Sequence, residues 1–169
     1  MTKDIIKRVI TTRDELEFGD AKLVVISDAA GLHRDTVKKG LKLMDDHNGE
    51  LWAKLDAGTE DYFILIARTK IPYGRILDNI LNTARVRPIK IQSCFLNVHG
   101  EIPKEGELQA YSDRVNHILE NGGQISAIQL YTVSRPPAES YVTALTDTQI
   151  DQVTQTLQEK IAVPIEAYK

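Results

Sequence analysis

From end to end the chain alternates short apolar runs of strand length with stretches whose apolar residues recur at helical spacing. Strands separated by helices run parallel and are joined by right-handed crossovers. The pattern therefore points to an α/β fold and excludes an all-helical bundle or a hairpin-built sandwich. Residues 2–16 carry Ile5, Ile6, Val9, Ile10 and Leu16 on one helical face. Leu23–Ser27 is a continuous apolar run, the signature of a parallel strand buried on both sides. A loop of small residues, Asp28–Gly31, leads to a helix marked by Val37, Leu41 and Met44, which the turn signal Asn48-Gly49 closes. The second strand is expected at Leu51–Ala57. Thr59 then caps a short helix over Glu60–Ala67.

Pro72 introduces the next helix (Ile76, Leu77, Ile80, Leu81, Ala84), and Pro88 separates it from a third strand expected at Ile89–Val98. Leu108, Tyr111, Val115 and Ile118 mark a helix ended by Asn121-Gly122-Gly123. Ile125–Val133 follows as the fourth strand and runs into the double proline Pro136-Pro137, which forbids both helix and central strand. Thr146-Asp147-Thr148-Gln149 has the form of a capping box for a last helix, and Pro164–Tyr168 is the fifth strand. With 169 residues, 42% of them hydrophobic, and no linker, the chain reads as a single domain over 1–169.

Charge and composition narrow the function classes. A net charge of −3 supplies no basic field for nucleic acid. No apolar run approaches the ~20 residues that span a bilayer, and Met1-Thr2-Lys3-Asp4 shows no signal-peptide pattern. The expectation is a cytoplasmic protein that engages neither nucleic acid nor membrane. One cysteine, Cys94, permits neither a disulfide framework nor a C-x-x-C metal pair, and its position inside a strand reads as a small core residue. No Gly-rich phosphate loop, His-x-x-x-His pair or nucleophile elbow is present. His99, at a strand end, is a possible acid or base and equally a solvated loop residue.

Side chains alternate between the two faces of a strand. Trp52, Lys54 and Asp56 therefore share one face of the second strand, Lys90, Gln92 and Cys94 one face of the third, and Ala127, Gln129 and Tyr131 one face of the fourth. Adjacent strands with polar groups on a common face describe the lining of a barrel or part-barrel whose open end binds a ligand. The same letters also suit a mutually paired Lys54 and Asp56 on a solvated sheet face. After the fourth strand, Gln129–Val142 passes from β-branched residues into a stiff polar loop carrying Arg135, Glu139, Ser140 and Tyr141. This is a common way for α/β proteins to present chemistry at a sheet edge.

Three strings, WAKLDAGTEDYF, RPIKIQSCFLNVHGEIP and QLYTVSRPPAESYVT, together resemble the C-terminal part of a radical SAM protein, a likeness covering residues 22–168. The resemblance implies a partial (βα) barrel with parallel strands and outer helices, a truncated TIM-like radical SAM core. It implies S-adenosylmethionine and a 4Fe-4S cluster as cofactors. On the matching positions, Lys54 and Asp56 would contact the ribose side of the cofactor. Gln92 and Ser93 would line the same cavity, and Gln129, Tyr131 and Arg135 would face adenine or substrate. The family's Cys-x-x-x-Cys-x-x-Cys and its Gly-x-Gly-Glu-Pro loop are not in these residues, and a lone cysteine cannot supply three thiolate ligands. Where the family's third strand ends in a Thr/Ser-Asn pair, this chain has Ser27-Asp28-Ala29-Ala30-Gly31. The expectation is a cofactor- and substrate-lining portion, inactive alone, that meets an N-terminal cluster-bearing partner or self-associates through an exposed sheet edge. The alternative is a non-catalytic α/β binding or interaction module.

Overall fold

The computed structural model describes residues 3–169; Thr2, the expected first residue of the N-terminal helix, lies outside them with Met1. Helix α1 (Lys3–Glu15) turns Ile6 and Ile10 inward, one helical turn apart. Five strands follow in one parallel sheet: β1 (Leu23–Ser27), β2 (Gly49–Lys54), β3 (Ile89–Cys94), β5 (Ile125–Tyr131) and β7 (Ile165–Tyr168). The intervening helices are α2 (Asp35–Asp45), α3 (Glu60–Ala67), α4 (Tyr73–Ala84), α5 (Glu105–Glu120) and α6 (Asp147–Gln158). Two short segments, β4 (Asn97–Val98) and β6 (Val142–Thr143), pair antiparallel as a separate ribbon.

In the main sheet the strands lie in chain order, β1-β2-β3-β5-β7. With every crossover stepping the same way and right-handed, the helices gather on one face. Burial agrees with this. Leu51, Ala53, Ile89, Ile91, Ile128 and Leu130 form one core with residues of α1, α2, α4, α5 and α6. On the opposite face of β1, Val24 and Ile26 remain 40% and 54% exposed. One sheet face thus carries the core, and the other has no helix over it among the described residues.

The expected local signals are in place. Thr59 accepts the Tyr62 N–H at the start of α3, and Thr146 and Gln149 form the reciprocal capping box of α6. Three strands end earlier than expected: the second stops at Lys54 rather than Ala57, the third at Cys94 rather than Val98, and the fourth at Tyr131 rather than Val133. The second and third share a cause. The Cys94 N–H, which a longer β2 would have taken through a backbone carbonyl, donates instead to Asp56 Oδ1 at 2.8 Å. Beyond it the chain turns, so that Asn97–Val98 pairs with β6.

The two sheet faces should respond differently to truncation. Ile128→Ala, on the covered face at 0% exposure, should lower unfolding free energy by about 3 kcal/mol, whereas Ile26→Ala should stay within about 0.5 kcal/mol. Urea midpoints at a common slope provide the measurement, and equal losses would contradict the one-sided core.

Candidate functional site

At the C-terminal ends of β1, β2 and β3 lies a cavity of about 350 Å³, within the range of small-molecule sites. Its walls are mainly apolar, with Phe63, Ile66, Ile71, Tyr73 and Leu96 among them. Polar groups enter from the strand ends: Asp28 after β1, Lys54 and Asp56 at the end of β2, and Cys94 at the end of β3. In an open parallel sheet the strand ends are where ligands are held, because the loops there diverge and leave a crevice.

Lys54 is the centre of the polar set. Its Nζ donates to the Tyr131 hydroxyl at 2.7 Å and lies 3.3 Å from Asp56 Oδ1. Burial pulls the Lys54 ammonium down, but Asp56 and the Tyr131 hydroxyl outweigh it and leave its pKa above the ordinary lysine value. Burial pushes Asp56 up, Lys54 and the Cys94 N–H pull it back, and the carboxyl stays above its usual range. Cys94 is pushed up to about 11 by burial and by the Asp56 charge, so at neutral pH it is a thiol.

Asp56 is held by its loop. The buried Glu107 of α5 accepts from the backbone N–H of Gly58, from Thr59 N at 3.1 Å and from Thr59 Oγ1 at 2.6 Å. From α4, the Tyr73 hydroxyl donates to Ala57 O at 2.5 Å, and Arg114 Nε of α5 donates to Gly58 O at 3.1 Å. Gly58 sits so close to α5 that a Cβ there would run into the Tyr111 amide and come within 2.6 Å of Glu107 O. Two helices thus clamp the Leu55–Thr59 loop and fix the carboxylate that ends β2.

The sequence-derived site residues divide. Lys54, Asp56 and Tyr131 come together as one hydrogen-bonded group. Lys54 and Asp56 are paired as one reading of the sequence has it, and the pair stands in the cavity wall rather than on a solvated sheet face. Gln92 and Gln129 stand on the same sheet face, in a cross-strand row running Lys54, Gln92, Gln129, Glu166, but outside the cavity wall. Ser93 points the other way. It is fully buried on the helix side, donating to Leu55 O at 2.7 Å and meeting the Tyr111 hydroxyl at 2.7 Å. The alternation of strand side chains puts Cys94, not Ser93, in the cavity.

Arg135 is exposed on the loop between β5 and β6, away from the cavity wall and outside every ion pair among the described residues. That loop is anchored instead by Glu139, which pairs with Arg68 at 2.8 Å, just past α3. His99 is exposed and stacks on Tyr141, 4.2 Å between ring centres.

Glu107, Tyr73, Arg114 and Asp28 were not among the sequence-derived residues. The first three act across 15 to 56 positions of chain, and nothing local marks them. Asp28 did have a signal: a carboxylate in a small-residue loop directly after a buried strand.

A scan against protein-family models finds no match, and a search of curated proteins finds none either. Among the described residues no helix is long and apolar enough to cross a membrane.

The thiol of Cys94 should react slowly. Its alkylation by iodoacetamide should be minor at pH 8 and rise steadily toward pH 11, since the thiolate is the nucleophile. A rate that levels off near pH 9 would show an ordinary, unburied thiol.

Proposed function

We propose that this chain is the cofactor- and substrate-lining portion of a radical SAM-type partial barrel, with S-adenosylmethionine as the ligand of the strand-end cavity. The observation that carries the reading is the helix-free sheet face. Its parallel strands follow one another in chain order, and polar side chains rise from them toward a cavity at their C-terminal ends. A barrel lining has this arrangement. The sequence resemblance over residues 22–168 supports the same reading.

The residues fit one of the two implied cofactors and not the other. Apolar and aromatic walls suit an adenine ring, and Lys54 and Asp56 in the wall offer the donor and acceptor that a ribose requires, while Tyr131, outside the wall, holds the Lys54 ammonium in place. S-adenosylmethionine would supply the reactive sulfonium there. A 4Fe-4S cluster needs several thiolates, whereas the sequence holds one cysteine, which is a neutral thiol at the end of β3. These residues do not fit the cluster, and the chain's own chemistry is binding and orientation.

Calorimetry should detect S-adenosylmethionine binding, weakened about tenfold by Lys54→Ala and by Asp56→Ala, each of which strands the other charge. Anaerobic treatment with iron and sulfide should give no cluster absorbance. Unchanged affinity in both variants would remove the ribose-side assignment, and a stoichiometric cluster would overturn the division of labour.

A second reading, an interaction module, has its own observation. The outer edge of β1 is unpaired, Val24 and Ile26 are exposed on its open face, and α1 and the turn after it expose Ile5, Val9, Leu16 and Phe18. Edge strands of soluble proteins are normally guarded by charge, proline or a bulge, none of which interrupts Leu23–Ser27. A cluster-bearing partner, or a second copy, adding a strand to β1 would cover this end. Sedimentation should show concentration-dependent association, reversed by Ile26→Lys; a monomer throughout the micromolar range would argue against the interface.

A further inference from the structure

The cavity wall carries three charged side chains: Asp28, Lys54 and Asp56. Lys54 and Asp56 neutralise one another at 3.3 Å. Asp28 has no cationic partner within ion-pair distance among the described residues, and its second carboxylate oxygen, Oδ2, receives no hydrogen bond from them. The remaining wall is largely apolar, so the cavity has an uncompensated negative charge at the end of β1.

That carboxylate is positioned in advance by its own turn. Asp28 Oδ1 accepts the Ala30 N–H at 3.0 Å, and Ser27 Oγ accepts the Ala29 N–H at 3.1 Å. Ala29, fully buried, takes a left-handed conformation with φ of 63°, which a side-chain-bearing residue adopts only when its surroundings enforce it. Asn79 of α4 braces this turn, its Nδ2 donating to Ala29 O at 2.8 Å. One carboxylate oxygen is used by the turn, and the other is left for a ligand.

We propose that Asp28 is the charge that selects the cavity's ligand, and that the ligand is an organic cation: an apolar or planar body carrying a sulfonium or ammonium group toward the end of β1. This rests on the reading of the cavity as a ligand site and adds the sign of the ligand's charge. The apolar wall strengthens the attraction by lowering the local dielectric, while the exposed outer side of Asp28 limits it. A preference of about fivefold is expected, the upper range for a partly exposed ion pair.

Two matched pairs of compounds test it. S-adenosylmethionine, a sulfonium cation, is compared by calorimetry with S-adenosylhomocysteine, its neutral thioether counterpart. 2-Phenylethylammonium is compared with 2-phenylethanol through the amide shifts of Ala30 and Cys94. The wild type should prefer the cation about fivefold in each pair, and less so as salt is raised. Asp28→Asn, which keeps an oxygen for the Ala30 N–H, should bind both members alike. Equal binding in the wild type, or a preference that survives Asp28→Asn, would overturn the proposal. If neither adenosyl compound binds but the phenylethyl pair shows the preference, the S-adenosylmethionine reading falls and the cation-selective site stands. Binding of none of the four would overturn both.

Discussion

Right-handed crossovers joining strands in chain order are the constraint on which this structure depends. Each crossover must return to the same face of the sheet, so the helices pack on one side and the opposite side is left without a helical layer. Strand side chains then divide by parity. Ile89, Ile91, Ile128 and Leu130 enter the core, while Lys90, Gln92, Gln129 and Tyr131 rise from the uncovered face. The apolar core and the polar face are two consequences of the same handedness.

The end of β2 shows how local structure becomes chemistry. The backbone ladder with β3 gives way after Leu55, whose N–H reaches Gln92 O, and the next acceptor offered to β3 is a carboxylate. Asp56 thereby does two things at once: it completes the hydrogen bonding of a strand end and puts a charge beside Lys54. Because a partly buried carboxylate is unfavourable without partners, the loop around it is braced from α4 and α5. The Glu107 clamp satisfies the backbone N–H groups of Gly58 and of the N-cap Thr59, just ahead of α3, whose Tyr62 N–H is capped by Thr59 itself. Stability of the loop and placement of the site share one set of contacts.

The ribbon of β4 and β6 extends this scheme beyond the sheet. It carries the chain from the end of β3 alongside the polar loop that follows β5, and the stacked His99 and Tyr141 rings join the two segments. Pro136 and Pro137 keep that loop from continuing as strand. The loop's anchoring charge is Glu139, not Arg135, because Arg68 leaves α3 in a left-handed turn that brings its guanidinium to Glu139.

Within the sequence, periodicity and punctuation determined the kind and order of the helices and main strands. Thr59 and Thr146 announced their helices, Asn48-Gly49 the end of α2, and alternating letters the polar face with Lys54, Asp56, Gln92, Gln129 and Tyr131. These features are legible because a residue's local period and its immediate neighbours fix which side of its own element it occupies. Only the tertiary structure decided which elements meet. Lys54 finds Tyr131 across 77 positions, Glu107 finds Gly58 across 49, and Asn79 reaches back 50 to hold the turn behind Asp28. It also turned the face that carries Cys94 into a cavity wall, and it ended β2 and β3 where a carboxylate replaced a backbone carbonyl. Such contacts arise from the packing of handed crossovers, a property of the assembled sheet that no local pattern encodes.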